Sequence, residues 1–216
     1  MTPTPAATPA PDWQIHLVDD DAAFCRSLLF LLESMGWPAT GHASAADYLR
    51  DGLPLIEHTG CLLLDVRMPG MSGLELQQHL SSRGCRVPIV FLTGHGDVEL
   101  AVQAMKHGAF DFLEKPFKDQ RLLDIVSAAL RQREAEAALH ARAQNACARL
   151  ARLSPREAEV ARLVARGLPN KLVARELDIS EKTVHIHRQH VMEKAEVGSA
   201  AELARLMLQS DPAALD

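Results

Sequence analysis

The chain contains 216 residues, of which 47% are hydrophobic and 4% aromatic, and its formal net charge is −5. This length suits one large domain or two small ones with aliphatic cores, and no apolar run approaches the roughly 18 residues of a membrane span. The proline-rich segment 1–12 lacks the basic start and apolar run of a signal peptide, so we predict a disordered tail. The four cysteines are scattered without metal-ligand spacing, which predicts reduced thiols in a cytosolic protein and no zinc site.

Charge is distributed unevenly along the chain. The part up to Arg149 has 13 basic and 18 acidic residues, whereas the part after it has 10 of each. The second part therefore lacks the strongly basic signature of many nucleic-acid-binding proteins. Any contact with DNA there must come from local clustering of basic side chains.

Strand and helix patterns alternate five times in the first part of the chain, which predicts an α/β fold with a doubly wound, five-stranded parallel sheet. The predicted strands cover residues 13–18, 39–42, 61–64, 87–93 and 110–113. The predicted helices cover residues 22–35, 44–50, 97–107, a segment that starts after Ser72 and a segment from Lys118 onward.

The third predicted strand is a short apolar run that ends in a carboxylate, Asp65. Pro69-Gly70 then marks a turn, and Ser72 with Glu75 predicts a capping box at the start of a helix. Asp65 is thus expected at the carboxyl end of a buried strand, where open α/β sheets bind ligands. Taken alone, an aspartate at this place is more typical of a turn cap.

Polar side chains also follow three other strands. Asp19 and Asp20 follow the first, Thr93 ends the fourth and Lys115 follows the fifth, so all should meet Asp65 at one edge of the sheet. Crowded carboxylates are tolerable when they hold a hard cation such as Mg²⁺, and an ionised carboxylate can attack phosphorus to give an aspartyl phosphate. The cation, Lys115 and Thr93 would each neutralise one phosphoryl oxygen.

The motifs VDDD, DVRMPGMSG, FLTGHGD and FLEKPF resemble the receiver domain of bacterial two-component response regulators of the FixJ/NarL type, over residues 13–130. The resemblance implies a flavodoxin-like sheet, with Asp65 as the phosphoacceptor. It also implies that Mg²⁺ is held by Asp20, Asp65 and the backbone carbonyl of Arg67, with Asp19 assisting through water.

The same resemblance implies that Thr93 and Lys115 contact the phosphoryl group, that Phe112 is the aromatic switch residue, and that the bond preceding Pro116 is cis. Such a protein catalyses its own phosphotransfer and slow dephosphorylation and is not otherwise an enzyme. An aspartate-nucleophile phosphatase is the rival interpretation. That class needs a second acid two residues after the nucleophile, where Arg67 stands here.

Residues 131–152 contain no Gly or Pro and many strong helix formers, which predicts a solvated helical linker that continues the last receiver helix. A coiled-coil dimer seam is the alternative, but the leucines at 130, 139 and 150 do not keep a heptad.

Residues 153–210 read as a separate four-helix unit, followed by a tail at 211–216. Its helices are predicted to start at the caps Ser154, Asn170, Ser180 and Ser199 and to end at Arg166, Leu177, Ala195 and Gln209. The tight turn between the second and third helices is typical of a helix-turn-helix, whose third helix would read DNA. That helix carries the polar residues Lys182, Thr183, His185, His187, Arg188, Gln189, His190 and Lys194. The alternative is a solvated helix on a small protein-docking bundle.

Residues 153–208 resemble the LuxR-type DNA-binding domain. The resemblance implies phosphate contacts from Lys171, Lys182, Arg188 and Lys194, and base-edge contacts from His185, Ile186 and Gln189. The family usually has lysine where His185 stands, which bears on base preference, and leucine at Ala195, which predicts slightly looser packing.

Together these features predict a cytoplasmic, phosphorylation-dependent transcription factor. Its expected partners are a sensor histidine kinase, promoter DNA in double-stranded form and a second copy of itself, with RNA polymerase as a further candidate and no membrane contact. Phosphorylation would remodel the receiver face around Phe112 and favour a dimer that places two reading helices on a two-fold DNA site.

Overall fold

The computed structural model describes residues 13–94 and 98–214. The predicted tail 1–12, the last two residues of the predicted tail 211–216 and the predicted helix start at Asp97 lie outside these ranges. The described residues form two compact units that divide between Ala135 and Glu136. Within them, no helix combines the length and the apolar character that crossing a bilayer requires.

The first unit contains a five-stranded sheet in which every neighbouring pair is parallel, in the order β2-β1-β3-β4-β5. Its strands are β1 (Gln14–Val18), β2 (Ala39–His42), β3 (Thr59–Asp65), β4 (Ile89–Thr93) and β5 (Asp111–Glu114). The predicted doubly wound sheet is confirmed. The chain order reverses direction beside β1 and β3, so the crevice for a ligand opens at their carboxyl ends.

Helices cover both faces of this sheet. They are α1 (Ala22–Ser34), α2 (Ala45–Asp47), α3 (Gly73–Ser82), α4 (Val98–Lys106) and α5 (Asp119–Leu150). The helix predicted over 44–50 is wrong beyond its first turn. The chain continues as a π-helical turn, Tyr48–Gly52, and a 3₁₀ helix, Leu53–His58. Pro54 contributes to this change because it has no N–H to extend an α-helical ladder.

The core forms one apolar layer on each side of the sheet, and all seven residues of β3 are buried. Leu63 packs with α1 and α5, whereas Leu62 and Leu64 pack with α3 and α4. This alternation follows from the two-residue period of a strand. It also explains why the central strand is a continuous apolar run, since both of its faces are covered.

The second unit is helical and contains α6 (Pro155–Ala165), α7 (Asn170–Glu176), α8 (Glu181–Lys194) and α9 (Ala200–Ser210). The predicted cap at Ser154 is present and forms a full capping box, because the Ser154 hydroxyl accepts from the Glu157 N–H and Glu157 accepts from the Ser154 N–H. The four helices enclose an aliphatic core that includes Val160, Val173, Val184, Val191 and Leu203.

Helix α5 runs without a break through most of the predicted linker. The predicted linker is exposed to solvent at Leu139, which is 64% exposed, but Ala146 is buried in the core of the second unit. Near the end of α5, Arg149 donates through Nε to the carbonyl oxygen of Ala195 at 2.8 Å, at the carboxyl end of α8. Ala195 is fully buried. The last turns of α5 therefore stabilise the second unit.

Candidate functional site

Asp65 is the last residue of β3 and is only 8% exposed. Its Oδ2 accepts a hydrogen bond from the backbone N–H of Arg67 at 2.9 Å. The first turn of α3 closes against it at Gly73, where a Cβ atom would overlap the backbone carbonyl oxygen of Asp65. A glycine is required at this position because the helix approaches the strand end so closely.

Lys115 connects two carboxylates at this edge. Its Nζ donates to Asp19 Oδ2 at 2.6 Å and to Asp65 Oδ1 at 2.8 Å, and it lies 4.2 Å from the centre of the Phe24 ring. The three charged groups come from the ends of β1, β3 and β5, as the alternation predicts. The bond between Lys115 and Pro116 is cis, which confirms that expectation.

The charges of Asp19, Asp65 and Lys115 do not balance, and the pKa values of Asp65 and Lys115 are shifted. Burial raises the pKa of Asp65 despite the lowering effect of Lys115, and the nearby Asp19 raises it further. Burial acts to lower the pKa of Lys115, but its hydrogen bonds to Asp19 and Asp65 outweigh burial and raise it. With both carboxylates ionised, one ammonium faces two negative charges, which leaves a surplus negative charge at the site.

The three consecutive acids after β1 have separate positions. Asp19 is 2% exposed and its Oδ1 accepts from the N–H of Asp21, whereas Asp20 is exposed. Asp21 caps α1, because its Oδ1 accepts from the N–H groups of Ala23 and Phe24 at 2.9 and 3.0 Å. This cap was not predicted, although an aspartate just before a helical pattern is a known signal.

The donor set is compatible with Mg²⁺. No group of three or more His, Cys, Asp or Glu side chains encloses a possible metal position in residues 13–94 and 98–214. Mg²⁺ seldom needs such a cage, because it keeps several waters and takes one or two carboxylates together with phosphate oxygens. The neighbouring carboxylates Asp19 and Asp65, with their surplus negative charge, fit this requirement.

Thr93 and Phe112 lie on adjacent strands. The Thr93 hydroxyl is buried and donates to the Gly94 carbonyl at 3.1 Å, while the Thr93 carbonyl accepts from the N–H of Lys115 at 2.7 Å. The Phe112 ring is 42% exposed. Val102 and Met105 of the neighbouring α4 are also exposed, so this face presents several apolar side chains to solvent.

Helix α8 has distinct inner and outer faces. Val184 and Val191 are buried in the core, whereas Lys182, Ile186 and Gln189 are exposed on the opposite side. His185 is also exposed, Thr183 is half-buried, and Lys171 is exposed in the first turn of α7. The residues predicted to meet base edges are therefore accessible on one side of the helix.

Lys194 is placed differently from its prediction as a phosphate contact. Its Nζ donates to Glu157 at 2.7 and 2.9 Å, and Glu157 is only 4% exposed. Five residues correspond to about 140° around a helix, so Lys194 lies well away from Gln189. Lys194 thus forms an ion pair within the second unit, and its phosphate contact stays a prediction. Its ammonium and the Ser154 N–H lower the pKa of Glu157 to about 2.

Asn170 also departs from its predicted role as a helix cap. Pro169 occupies the cap position of α7, and no side chain caps this helix. The Oδ1 of Asn170 instead accepts a hydrogen bond from Nη1 of Arg188 at 3.1 Å. Because the partner lies in another helix, local sequence carries no signal for this contact.

Comparison with known families assigns both units. Residues 15–127 match the response regulator receiver domain, and residues 151–207 match the bacterial regulatory proteins of the luxR family. The transcriptional regulatory protein FixJ of Bradyrhizobium diazoefficiens is 48% identical over 91% of this chain and 95% of its own length. The response regulator protein TodT of Pseudomonas putida is 41% identical over 89% of this chain and 84% of its own length.

Two solved structures match the chain over most of its length. The response regulator StyR matches with a TM-score of 0.82 at 40% identity, covering 89% of this chain and 96% of its own. Full-length FixJ from B. japonicum matches with a TM-score of 0.58 at 46% identity, covering 93% of this chain and 98% of its own.

Proposed function

Because this chain belongs to the response regulators that join a receiver domain to a LuxR-type DNA-binding domain, it is a two-component transcriptional regulator, and we propose that Asp65 is its phosphoacceptor. The observation that carries this proposal is the contact of the Lys115 ammonium with both Asp65 and Asp19. An ionised carboxylate at a strand end, next to a fixed cation, can act as the nucleophile and then have its product stabilised.

In the proposed reaction, a carboxylate oxygen of Asp65 attacks the phosphorus of a phosphohistidine on a sensor histidine kinase. The new P–O bond forms as the P–N bond breaks, and the imidazole leaves with the electron pair and takes a proton. Lys115 then neutralises one phosphoryl oxygen, which costs little reorganisation because its amine is already in place. Water can later attack the same phosphorus as the P–O bond to Asp65 breaks, which slowly releases inorganic phosphate and regenerates the carboxylate of Asp65.

The residues that would hold Mg²⁺ are Asp20, Asp65 and the backbone carbonyl of Arg67, with Asp19 assisting through water. When bound, the cation supplies charge neutralisation for the phosphoryl oxygens. Asp20 is exposed, so its carboxylate is accessible to a cation that enters from solvent. Asp19 is buried and held by Lys115, which supports an indirect role.

The proposed switch involves Thr93 and Phe112. The hydroxyl of Thr93 now donates to Gly94 and would turn to donate to a phosphoryl oxygen. The space that it vacates admits the exposed ring of Phe112, which lacks a hydroxyl and therefore changes state by packing alone. This movement remodels the apolar face of β5 and α4 and favours a receiver homodimer.

The dimer then binds promoter DNA through two copies of α8. We assign phosphate contacts to Lys171, Lys182 and Arg188, and base-edge contacts to His185, Ile186 and Gln189, with Thr183 at the start of the same helix. RNA polymerase is a further proposed partner on the promoter, and the protein acts in the cytoplasm, where bacterial DNA lies. The family match of the second unit supports DNA binding over a protein-docking bundle.

Labelling with acetyl phosphate and Mg²⁺ tests the acceptor. The wild type should gain one phosphoryl group by intact mass spectrometry, and Asp65→Asn should gain none, because an amide is a poor nucleophile. Asp124→Asn, at an exposed position on α5, is the matched control and should label normally. Full labelling of Asp65→Asn would reject the assignment.

A further inference from the structure

A groove of about 230 Å³ lies between the first residue of α7 and the outer side of α8. It is lined by Asn170, His185, Arg188, Gln189 and Met192. The hydrogen bond from Arg188 to the Asn170 side chain crosses this groove and joins the two helices. The guanidinium is therefore held by a group that belongs to the other helix of the helix-turn-helix.

The partner of Arg188 is neutral, whereas three other basic residues of this unit contact a carboxylate. Arg152, Arg156 and Lys194 each contact a glutamate oxygen at 2.5, 2.6 and 2.7 Å, respectively. Among the residues that the structure describes, Arg188 takes part in no ion pair. An amide oxygen orients a guanidinium without cancelling its charge, whereas a carboxylate would do both.

We propose that Asn170 is a positioning residue that holds Arg188 in the orientation needed to bind a DNA phosphate. This inference rests on the proposed DNA-binding function and adds a residue to it. A guanidinium has five N–H donors in a rigid fork, so one bond to Asn170 leaves a pair of donors for a phosphate. The side chain of Arg188 is thereby ordered before DNA arrives, which reduces the entropy lost on binding.

The position of Arg188 favours phosphate over a base edge. Arg188 lies about 100° around the helix from Gln189, on the side of α8 that faces α7. In helix-turn-helix proteins the first helix crosses the DNA backbone while the second enters the major groove. Lys171, next to Asn170, is exposed at the same end of α7. Asn170 and Arg188 are thus joined beside the exposed Lys171 at the start of α7, where we expect a phosphate to pass.

The test measures binding of the full-length chain to two duplexes across a salt series. One duplex carries a site selected from random DNA by the wild type, and the other is unrelated in sequence. Asn170→Asp would place a carboxylate beside Arg188 and should weaken both complexes, lowering the slope of log affinity against log salt by about 0.9. Asn145→Asp adds the same charge at an exposed position of α5 and is the matched control, with a smaller effect.

Further variants test whether Asn170 acts through Arg188. Asn170→Ala should weaken both duplexes by roughly threefold to tenfold in the wild type and have no further effect in Arg188→Ala, as expected for coupled residues. Thermal unfolding checks that Asn170→Ala folds, and the Asn170→Ser variant, which keeps an oxygen acceptor, should recover part of the affinity.

Several outcomes would overturn the inference. Equal effects of Asn170→Asp and Asn145→Asp, or additive losses in the double alanine variant, would mean that Asn170 does not act on Arg188. A changed consensus site for Arg188→Ala would place its guanidinium against a base instead of a phosphate. These results all require that the wild type binds DNA. Failure of the wild type to bind either duplex would reject the proposed function itself.

Discussion

Lys194, in the last turn of α8, forms an ion pair with Glu157, in the first turn of α6, with 2.7 Å between Nζ and Oε2. The same carboxylate closes the capping box of α6, so a single buried group joins the reading helix to the helix beneath it. His190 Nδ1 lies 3.6 Å from the other oxygen of Glu157. The orientation of α8 therefore depends on the ionised state of Glu157.

Acid should weaken the second unit through Glu157. Its pKa falls from 4.5 to about 2 on folding, so its contribution is complete above pH 4.5 and is lost as the pH falls towards 2. We expect Glu157→Gln to lower the free energy of unfolding by about 1 kcal/mol at pH 7, since the Lys194 side chain is 42% exposed and solvent screens the ion pair. Its stability should also vary less between pH 4.5 and 2. Glu159→Gln is the control. Denaturant unfolding of both variants and the wild type at several pH values measures the difference in the free energy of unfolding.

A pair of buried histidines should make the first unit sensitive to milder acid. His16 Nδ1 lies 2.9 Å from His42 Nε2, and burial followed by the charge of His42 lowers the pKa of His16 from 6.5 to about 4. Burial also lowers the pKa of His42. The unfolded chain therefore binds protons first, and stability should decline as the pH falls from 6.5 towards 4. Replacing both residues with leucine should flatten this decline in chemical denaturation.

Thr93→Ala should separate phosphorylation from its consequence. Asp65 and Lys115 remain in this variant, so acetyl phosphate should label it normally. It should nevertheless dimerise poorly, because the hydroxyl that would contact the phosphoryl group is gone. Light scattering on the labelled protein measures this. If the labelled variant dimerised like the wild type, the signal would leave the site by another route.

Loss of Gln189 and loss of Lys171 should affect DNA binding differently. The Gln189 amide can pair with adenine, so Gln189→Ala should reduce the free energy of discrimination at one base position by roughly 1–3 kcal/mol. The salt dependence of binding should stay nearly unchanged. Lys171→Ala should weaken all sequences alike and reduce the salt slope by about one. Selection from random DNA provides the comparison, and His185→Ala should relax a neighbouring position. An unchanged consensus site for Gln189→Ala would show that the face of α8 assigned to the bases does not contact them.

The boundary of the DNA-binding unit is also testable. The sequence predicts a DNA-binding domain at 153–210, a linker at 131–152 and a receiver at 13–130. We propose that the second unit also needs the end of α5, because Ala146 and Arg149 contact it. A fragment 136–216 should therefore melt at a higher temperature than a fragment 153–216. The loss of Arg149 should leave the carboxyl end of α8 less protected from hydrogen exchange. Equal melting temperatures would confine the unit to its last four helices.

The sequence predicts the features that depend on local pattern and on strand order. The sequence predicts that three side chains lie close together, because parallel strands end at a common edge of the sheet. These are Asp65, Asp19 and Lys115. The π-helical and 3₁₀ turns at 48–58 could not be predicted, since buried packing of Tyr48 over Gly52 accompanies them. Likewise, the contacts of Lys194 and Asn170 join different helices, so helix propensity and capping rules contain no information about them.

Gly73 has a consequence for how mutations at this site would be tolerated. It has no functional group, yet any side chain there would press on the peptide that carries Asp65. A saturation survey scored by phosphotransfer should therefore find this position as intolerant as the acceptor itself, with alanine failing along with larger residues. The missing atom at Gly73 is thus as much a requirement of the chemistry as the carboxylate, and searches for reactive groups alone will overlook it.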